Sequence, residues 1–180
     1  MAMQAVYFPV VSPGAVTDTW DPSSALVGQR GEPGTTVVVK DPSTGEFALA
    51  KIIQLDNNGC SQGEVLVTNY ATLKGHSVTK SSTTDGGAPM RGIAAATIGS
   101  QKCGYMYIGG YVEKADLSQT CASGEYIAVG ASVAGKLSND KASAFNLATV
   151  VNVSAQMVVA VARAAFSTGI GSIQILGVWG

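Results

Sequence analysis

The stretch GCSQGEVLVTN, residues 59–69, has a close counterpart in TCASGEYIAVG, residues 120–130. Both phrases place a cysteine three residues before a Gly-Glu pair, and a strand-like apolar run follows the glutamate. Glycine adopts the positive φ of tight turns at no steric cost, and runs of β-branched, aromatic and aliphatic residues favour strands. Each phrase therefore predicts a turn followed by a β-strand.

Two interpretations of this repeated phrase are open. A nucleophilic cysteine needs a base beside it and a lowered pKa, and the chain offers one histidine, His76, for both Cys60 and Cys121. In the interpretation that we prefer, the cysteines are small semi-buried thiols, the glycines turn the chain, and the glutamates take the first exposed position of each strand. The two turn pairs are Gly63-Glu64 and Gly124-Glu125.

The cysteine count also bears on chemistry. Three cysteines, with Cys103 as the third, make an odd number without the CxxC spacing of a structural zinc site, and this favours reduced thiols in a cytosol. No catalytic residue, cofactor site, metal site or small-molecule substrate is predicted, and we expect a protein that is not an enzyme.

Other apolar runs also have the period of strands and are bounded by turn residues. They predict an all-β fold, a compact antiparallel β-barrel or β-sandwich. The Ala-rich segment 154–166 is interpreted as strand because alternate positions in and before it are apolar, and 141–147 as a single helical turn. The runs lie at residues 35–41, 47–55, 64–73, 105–112, 125–129 and 172–180.

A second internal echo links residues 93–112 to residues 161–180 at an offset of 68, matching Ala94 with Ala162 and Gly109 with Gly177. Together with the Cys-Gly-Glu phrase, this echo suggests one β-unit that is used more than once. Residues 35–180 are expected to form a single β-rich domain from two related units.

The first 34 residues differ from the rest. They hold four of the six prolines and little alternation, so residues 1–34 are predicted to be an extended N-terminal arm. Tyr7, Phe8 and Trp20 make this arm too apolar for a free tail. We expect these three side chains to anchor it on a partner, because buried aromatic residues dominate interface energies.

Composition excludes some partners. Only 13% of the residues are charged and the net charge is −1, so the chain lacks the basic surface that nucleic acid or an anionic membrane would attract. No stretch of eighteen apolar residues and no basic leader occurs, so we expect no membrane association. The stretch GASVAGKL, residues 130–137, resembles a phosphate-binding loop but ends in Leu137, where the magnesium-binding hydroxyl should stand. It is interpreted as a turn.

The stretch GYMYIGGYVEKADLSQTCASGEYIAVGASVAGKLSND, residues 104–140, resembles the decoration, or cement, proteins of tailed-phage capsids. The matching phrases are a Gly-aromatic strand, a small-x-Gly-Glu-x-aliphatic turn and an Ala-Gly-Lys-Leu turn. They fall on Gly104, Tyr105, Tyr107, Gly110 and Val112, then Gly124, Glu125 and Ile127, then Gly135, Lys136 and Leu137. The arm and the loop of residues 70–92 depart from the family pattern.

The resemblance implies a structural virion protein, made in the host cytoplasm. Such a protein binds the outer surface of an assembled capsid, contacts the major capsid protein, stabilises contacts between capsomers and forms a homotrimer. Two rivals remain: a tail or fibre β-module that binds carbohydrate, and a cysteine-dependent hydrolase that uses Cys60 or Cys121 with His76.

Overall fold

In a computed structural model of the chain, the residues described are 15–24, 31–41, 44–68, 77–81, 90–129, 133–138, 160–165, 167 and 169–176. Within those ranges the chain forms ten strands and no helix, which confirms the all-β fold class. The strands are β1 (Thr36–Lys40), β2 (Phe47–Leu55), β3 (Val65–Thr68), β4 (Ser77–Lys80), β5 (Met90–Ala94), β6 (Cys103–Leu117), β7 (Tyr126–Val129), β8 (Leu137–Ser138), β9 (Ala160–Ala162) and β10 (Gly169–Ile175).

Some sequence predictions fall outside these residues. They are the helical turn at 141–147, the strand over 154–159, the arm from 1 to 14 with Tyr7 and Phe8, and most of the loop at 70–92.

All ten strands belong to one sheet, in the order β1-β2-β4-β3-β5-β6-β10-β9-β7-β8. The sheet is mixed, because β2 pairs with β4, and β6 with β8, in parallel. The prediction of a purely antiparallel sheet is therefore wrong. The reason is topological: β2, β6, β5, β3 and β4 pair antiparallel in succession, so β4 runs in the same direction as β2, with which it closes a circuit of five strands.

The strand pairings close into two circuits that share β6. The first runs β2-β4-β3-β5-β6 and returns to β2, and the second runs β6-β8-β7-β9-β10 and returns to β6. We call these circuits unit 1 and unit 2. The first half of β6 pairs with β2 and the second half with β10, and the two pairings meet at Gly110. Strand β1 adds to β2 outside unit 1.

The two units match in strand register. Val65 faces Ile93 between β3 and β5, and Tyr126 faces Val161 between β7 and β9. These pairs are related by the offsets of 61 and 68 that the sequence echoes show. The last strand departs by one residue, because Ala94 faces Met106 whereas Ala162 faces Ile173 and not Gln174.

The buried side chains repeat the same match. One cluster fills unit 1. A second fills unit 2 and also includes Val65, Met90 and Ile93 of unit 1, and six positions of the first cluster have a counterpart in the second. A third cluster packs Trp20 on β2 and the start of β6, with Val37 and Val39 of β1 against it. The six counterparts are Ile53 and Ala115, Leu55 and Leu117, Cys60 and Cys121, Leu66 and Ile127, Val78 and Leu137, and Ala94 and Ala162.

The repeated phrase forms the same carboxylate-closed turn in both units. The backbone N–H of Ser61 donates to Glu64 Oε2 at 2.7 Å, and that of Ala122 donates to Glu125 Oε2 at 2.9 Å. The prediction that Glu64 takes an exposed strand position is wrong. Its side chain is buried because it folds back to close the turn, where it lies 3.5 Å from Lys80 Nζ.

The glycines of the two turns are equivalent as well. Gly63 and Gly124 have φ of +85° and +81°, as their predicted turn role requires. The Gly63 N–H donates to the carbonyl of Ala94 at 2.9 Å, and the Gly124 N–H donates to that of Ala162 at 2.8 Å. In return, the Ala94 N–H donates to the Glu64 carbonyl and the Ala162 N–H to the Glu125 carbonyl. The phrase is thus a scaffold element that the fold uses twice.

These glycines differ in what covers them, which gives a matched pair of substitutions. A Cβ at Gly63 would lie 3.0 Å from Asp116 N and Lys114 O, whereas a Cβ at Gly124 would meet no atom of the residues that the structure describes within 4 Å. Gly63→Ala and Gly124→Ala should both lose about 1–2 kcal/mol from the left-handed backbone. Gly63→Ala should lose about 1–3 kcal/mol more, because the methyl group overpacks the backbone of β6.

Urea denaturation of the two variants and the wild type measures the difference in the free energy of unfolding. Equal losses would contradict the cover that the structure places over Gly63.

Candidate interaction surface

Cys60, which the rival hydrolase hypothesis would use as a nucleophile, does not have the surroundings of a reactive thiol. Cys60, Cys103 and Cys121 are all buried and form no disulfide. Burial raises the pKa of the Cys60 thiol to about 11 and also raises the pKa of Cys103. A reactive cysteine needs the opposite shift. His76, the base of the hydrolase hypothesis, lies outside the described residues.

The described part of the stretch that resembles a phosphate loop, residues 133–137, is a junction between the units. Gly135 has φ of +76°; its N–H donates to Ser81, and its carbonyl accepts from the Val65 N–H at 2.7 Å. Lys136 Nζ lies 3.0 Å from Asp116 Oδ1. The lysine is therefore held by a carboxylate of its own chain. Among the described residues, no group of three His, Cys, Asp or Glu side chains could hold a metal ion.

Trp20 anchors the N-terminal segment on its own domain. It is only 4% exposed, and its ring packs edge-on against Tyr105 with 5.3 Å between centroids. Its backbone exchanges two hydrogen bonds with Cys103, at 2.8 and 3.1 Å. Asp21 beside it pairs with Lys102 at 2.7 Å. Trp20 thus packs on its own chain, and the anchoring of the arm on a partner through Tyr7, Phe8 and Trp20 stays a prediction.

A groove of about 650 Å³ opens next to this segment. It lies between residues 15–17, β1 and β6, and it is lined by the valines of β1 and by three tyrosines, Tyr105, Tyr107 and Tyr111. Tyr105 is buried, and the other two are half-buried. Burial raises the pKa of both half-buried tyrosines, so their hydroxyl groups stay protonated at neutral pH.

Acidic side chains stand at the same groove. Asp41, Glu46 and Glu113 are among its lining residues. Arg163 pairs with Glu46 and places its guanidinium 5.9 Å from the ring centre of Tyr111. The groove therefore combines an apolar floor and aromatic faces with hydrogen-bond acceptors.

An exposed apolar patch lies on β1 and β2. Val38 and Leu49 face each other in the strand register and are 65% and 45% exposed, and Phe47 stands two residues before Leu49 on the same side of β2. We call these three residues the β1 face. Within the described residues β1 pairs only with β2, so its outer edge is open. Open edges with apolar side chains readily contact other chains.

Sequence reasoning did not identify the groove. Its signal was present, because Tyr105, Tyr107 and Tyr111 are separated by even spacings and so point to one side of a strand. The wall that makes this side concave comes from residues 15–17, which were assigned to an arm away from the domain.

No protein-family model matches the chain, and no curated protein matches it. Within the described residues, no helix is long and apolar enough to cross a membrane.

The pKa of Cys60 gives a pH test of the buried-thiol role. The folded thiol keeps its proton until about pH 11, whereas an unfolded thiol ionises near pH 9. The raised pKa therefore contributes stability that is fully present below pH 9 and is lost as the pH rises towards 11, by about 1.4 kcal/mol for each pKa unit.

We expect Cys60→Ala to lose a few kcal/mol of packing at pH 8 and to show a shallower loss of stability between pH 9 and 11 than the wild type. Chemical denaturation of both proteins across this range measures the difference, and the titration of tyrosines cancels between them. Parallel curves would show that the thiol is not held in its protonated form.

Trp20 gives a second stability test. Trp20→Ala should lower the free energy of unfolding by about 3–5 kcal/mol, because it empties a core site. Thermal unfolding followed by circular dichroism measures this loss. A melting temperature equal to that of the wild type would show that the ring is dispensable for the domain.

Proposed function

We propose that this protein is a structural virion protein that binds the outer surface of an assembled phage capsid and stabilises contacts between capsomers. Its partner is the major capsid protein, and its place is the capsid surface, reached from the host cytoplasm. We interpret the two circuits of strand pairings as two small β-barrels that share β6. The proposal rests on the sequence resemblance and on one structural observation, the position of the groove beside the N-terminal segment.

The position of the groove favours attachment through the N-terminus. Residue 15, the first described residue, lines the groove, and in this proposal the arm of residues 1–14 reaches its partner from this apolar surface. This segment carries Tyr7, Phe8, Val10 and Val11. Fourteen extended residues reach about 50 Å, enough for the domain to sit on one capsomer while the segment contacts the next.

The energetics suit such a role. Each 1,000 Å² of apolar area that is buried contributes on the order of 25 kcal/mol before the costs of association and ordering. Pro9 and Pro13 restrict the free segment and so lower the entropy that it loses when it docks. Many copies on one shell multiply a modest contact.

Deletion of residues 1–14 tests this proposal. The cut stops before Trp20, because a longer deletion would remove a core residue of the domain. The truncated protein should keep the wild-type melting temperature and should bind stripped capsids at least about tenfold more weakly, since the aromatic anchors are lost.

Co-sedimentation with stripped capsids measures the binding. A full-length variant with Tyr7→Ser and Phe8→Ser is the matched control for the loss of chain length, and it should bind as weakly as the truncated protein. Unchanged capsid binding by the truncated protein, or no binding by the wild type, would contradict the proposal.

The groove also favours a second candidate, a tail or fibre module that binds carbohydrate. Sugars pack on aromatic faces and bond to carboxylates, and Tyr107, Tyr111 and Glu113 supply both. A glycan array separates the two functions. Binding that Tyr111→Ala abolishes would support this candidate, and the absence of any signal would remove it.

A further inference from the structure

The outer face of unit 1 is covered by unit 2. Val65 and Ile93 are fully buried, in the same cluster as Val112 and Ala115 of the second half of β6. The backbone of β6 crosses Gly63, and the Asp116 N–H donates to the Gly63 carbonyl at 2.9 Å. This is a packed contact between two copies of one structural unit within one chain.

The equivalent face of unit 2 has no such cover among the described residues. Tyr126 and Val161 stand at the positions of Val65 and Ile93. Tyr126 is 56% exposed, Val161 is half-buried, and no described residue comes within 4 Å of a Cβ placed at Gly124. We call Gly124, Tyr126 and Val161 the open face.

The residue types on the open face indicate a contact surface. In arrays of stacked units, the last unit carries a polar outer face that caps the array against solvent. In unit 2 the open face, which would need this polar cap, instead carries Tyr126 and Val161. Aromatic residues are enriched at the centres of protein interfaces, where their area stabilises binding.

The other end of the chain shows what fits this face. Strand β2 corresponds to the second half of β6, but it is already covered by Trp20 and by the inner valines of β1, Val37 and Val39. Trp20 and β1 therefore cover β2 of unit 1, in the same way that unit 1 covers the second half of β6 in unit 2. The outermost surface at this end of the stack of units is the β1 face, where Val38 and Leu49 are exposed.

We infer that the open face of one copy docks on the β1 face of a second copy. One chain carries both surfaces, the open face on unit 2 and the β1 face on β1 and β2 at the other end of the chain's units, so the contact is head-to-tail and continues the stacking that already joins the units. Head-to-tail contacts close into rings when the rotation allows it. The inference goes beyond capsid binding and does not depend on it.

Two charge substitutions test the contact through a mixing experiment. Val38→Glu breaks the β1 face, and Tyr126→Glu breaks the open face. Each variant alone should be monomeric at concentrations where the wild type associates, with Kd raised at least about tenfold. An equimolar mixture should form a heterodimer and nothing larger, because each variant keeps the one face that the other lacks.

Ile170→Glu is the matched control, since Ile170 is 53% exposed on β10 and belongs to neither face. It should associate like the wild type. Sedimentation velocity gives the species, and thermal unfolding shows whether each variant is folded. A monomeric wild type at high concentration, wild-type association by either variant, or a mixture that stays monomeric would overturn the inference.

A fall in the melting temperature of Tyr126→Glu with unchanged association would also overturn it, because it would place the tyrosine against its own chain. Capsid binding is read separately by co-sedimentation. A protein that binds capsids as a monomer would therefore refute the head-to-tail contact and leave the proposed function standing.

Discussion

Strand β6 has to satisfy the hydrogen bonds of two circuits, and the rest of the structure depends on how it does so. At Gly110 it faces Ala48 of β2 and Ile175 of β10 at once. A side chain there would meet the Phe47 carbonyl oxygen at 2.5 Å, and φ is +83°. Register shifts on either side of this point bend and twist the strand. One strand can therefore end one circuit and begin the next.

The sequence predicted several of the strands well because their side chains alternate or are buried on both sides. Strand β2 occupies 47–55, the range predicted, and β1 lies within 35–41. The C-terminal part of β6 was missed, because the consecutive charged residues Glu113 and Lys114 break the alternation. The structure explains them: the register shift opposite Gly171 and Ile173 leaves both side chains exposed.

Other features could not be read from local patterns. The parallel pairings depend on β4 lying between β2 and β3, which is a property of the chain path. The burial of Glu64 depends on Lys80, sixteen residues away, and on the cover that unit 2 supplies. Trp20 was placed on an arm because prolines surround it, yet its environment comes from β2 and β6. In each case the deciding contact is distant in sequence.

A comparison of the two units shows where they differ. Their turns, strand registers and interior positions match, so these parts are fixed by the needs of a small closed β-unit. The differences lie on the outer face, where Val65 and Ile93 are buried but Tyr126 and Val161 are not. Large apolar residues on an uncovered face reduce solubility unless another surface buries them. With only 13% charged residues, the chain has little charge repulsion to keep copies apart. In the proposed virion role, this combination favours a protein whose apolar faces are buried by assembly.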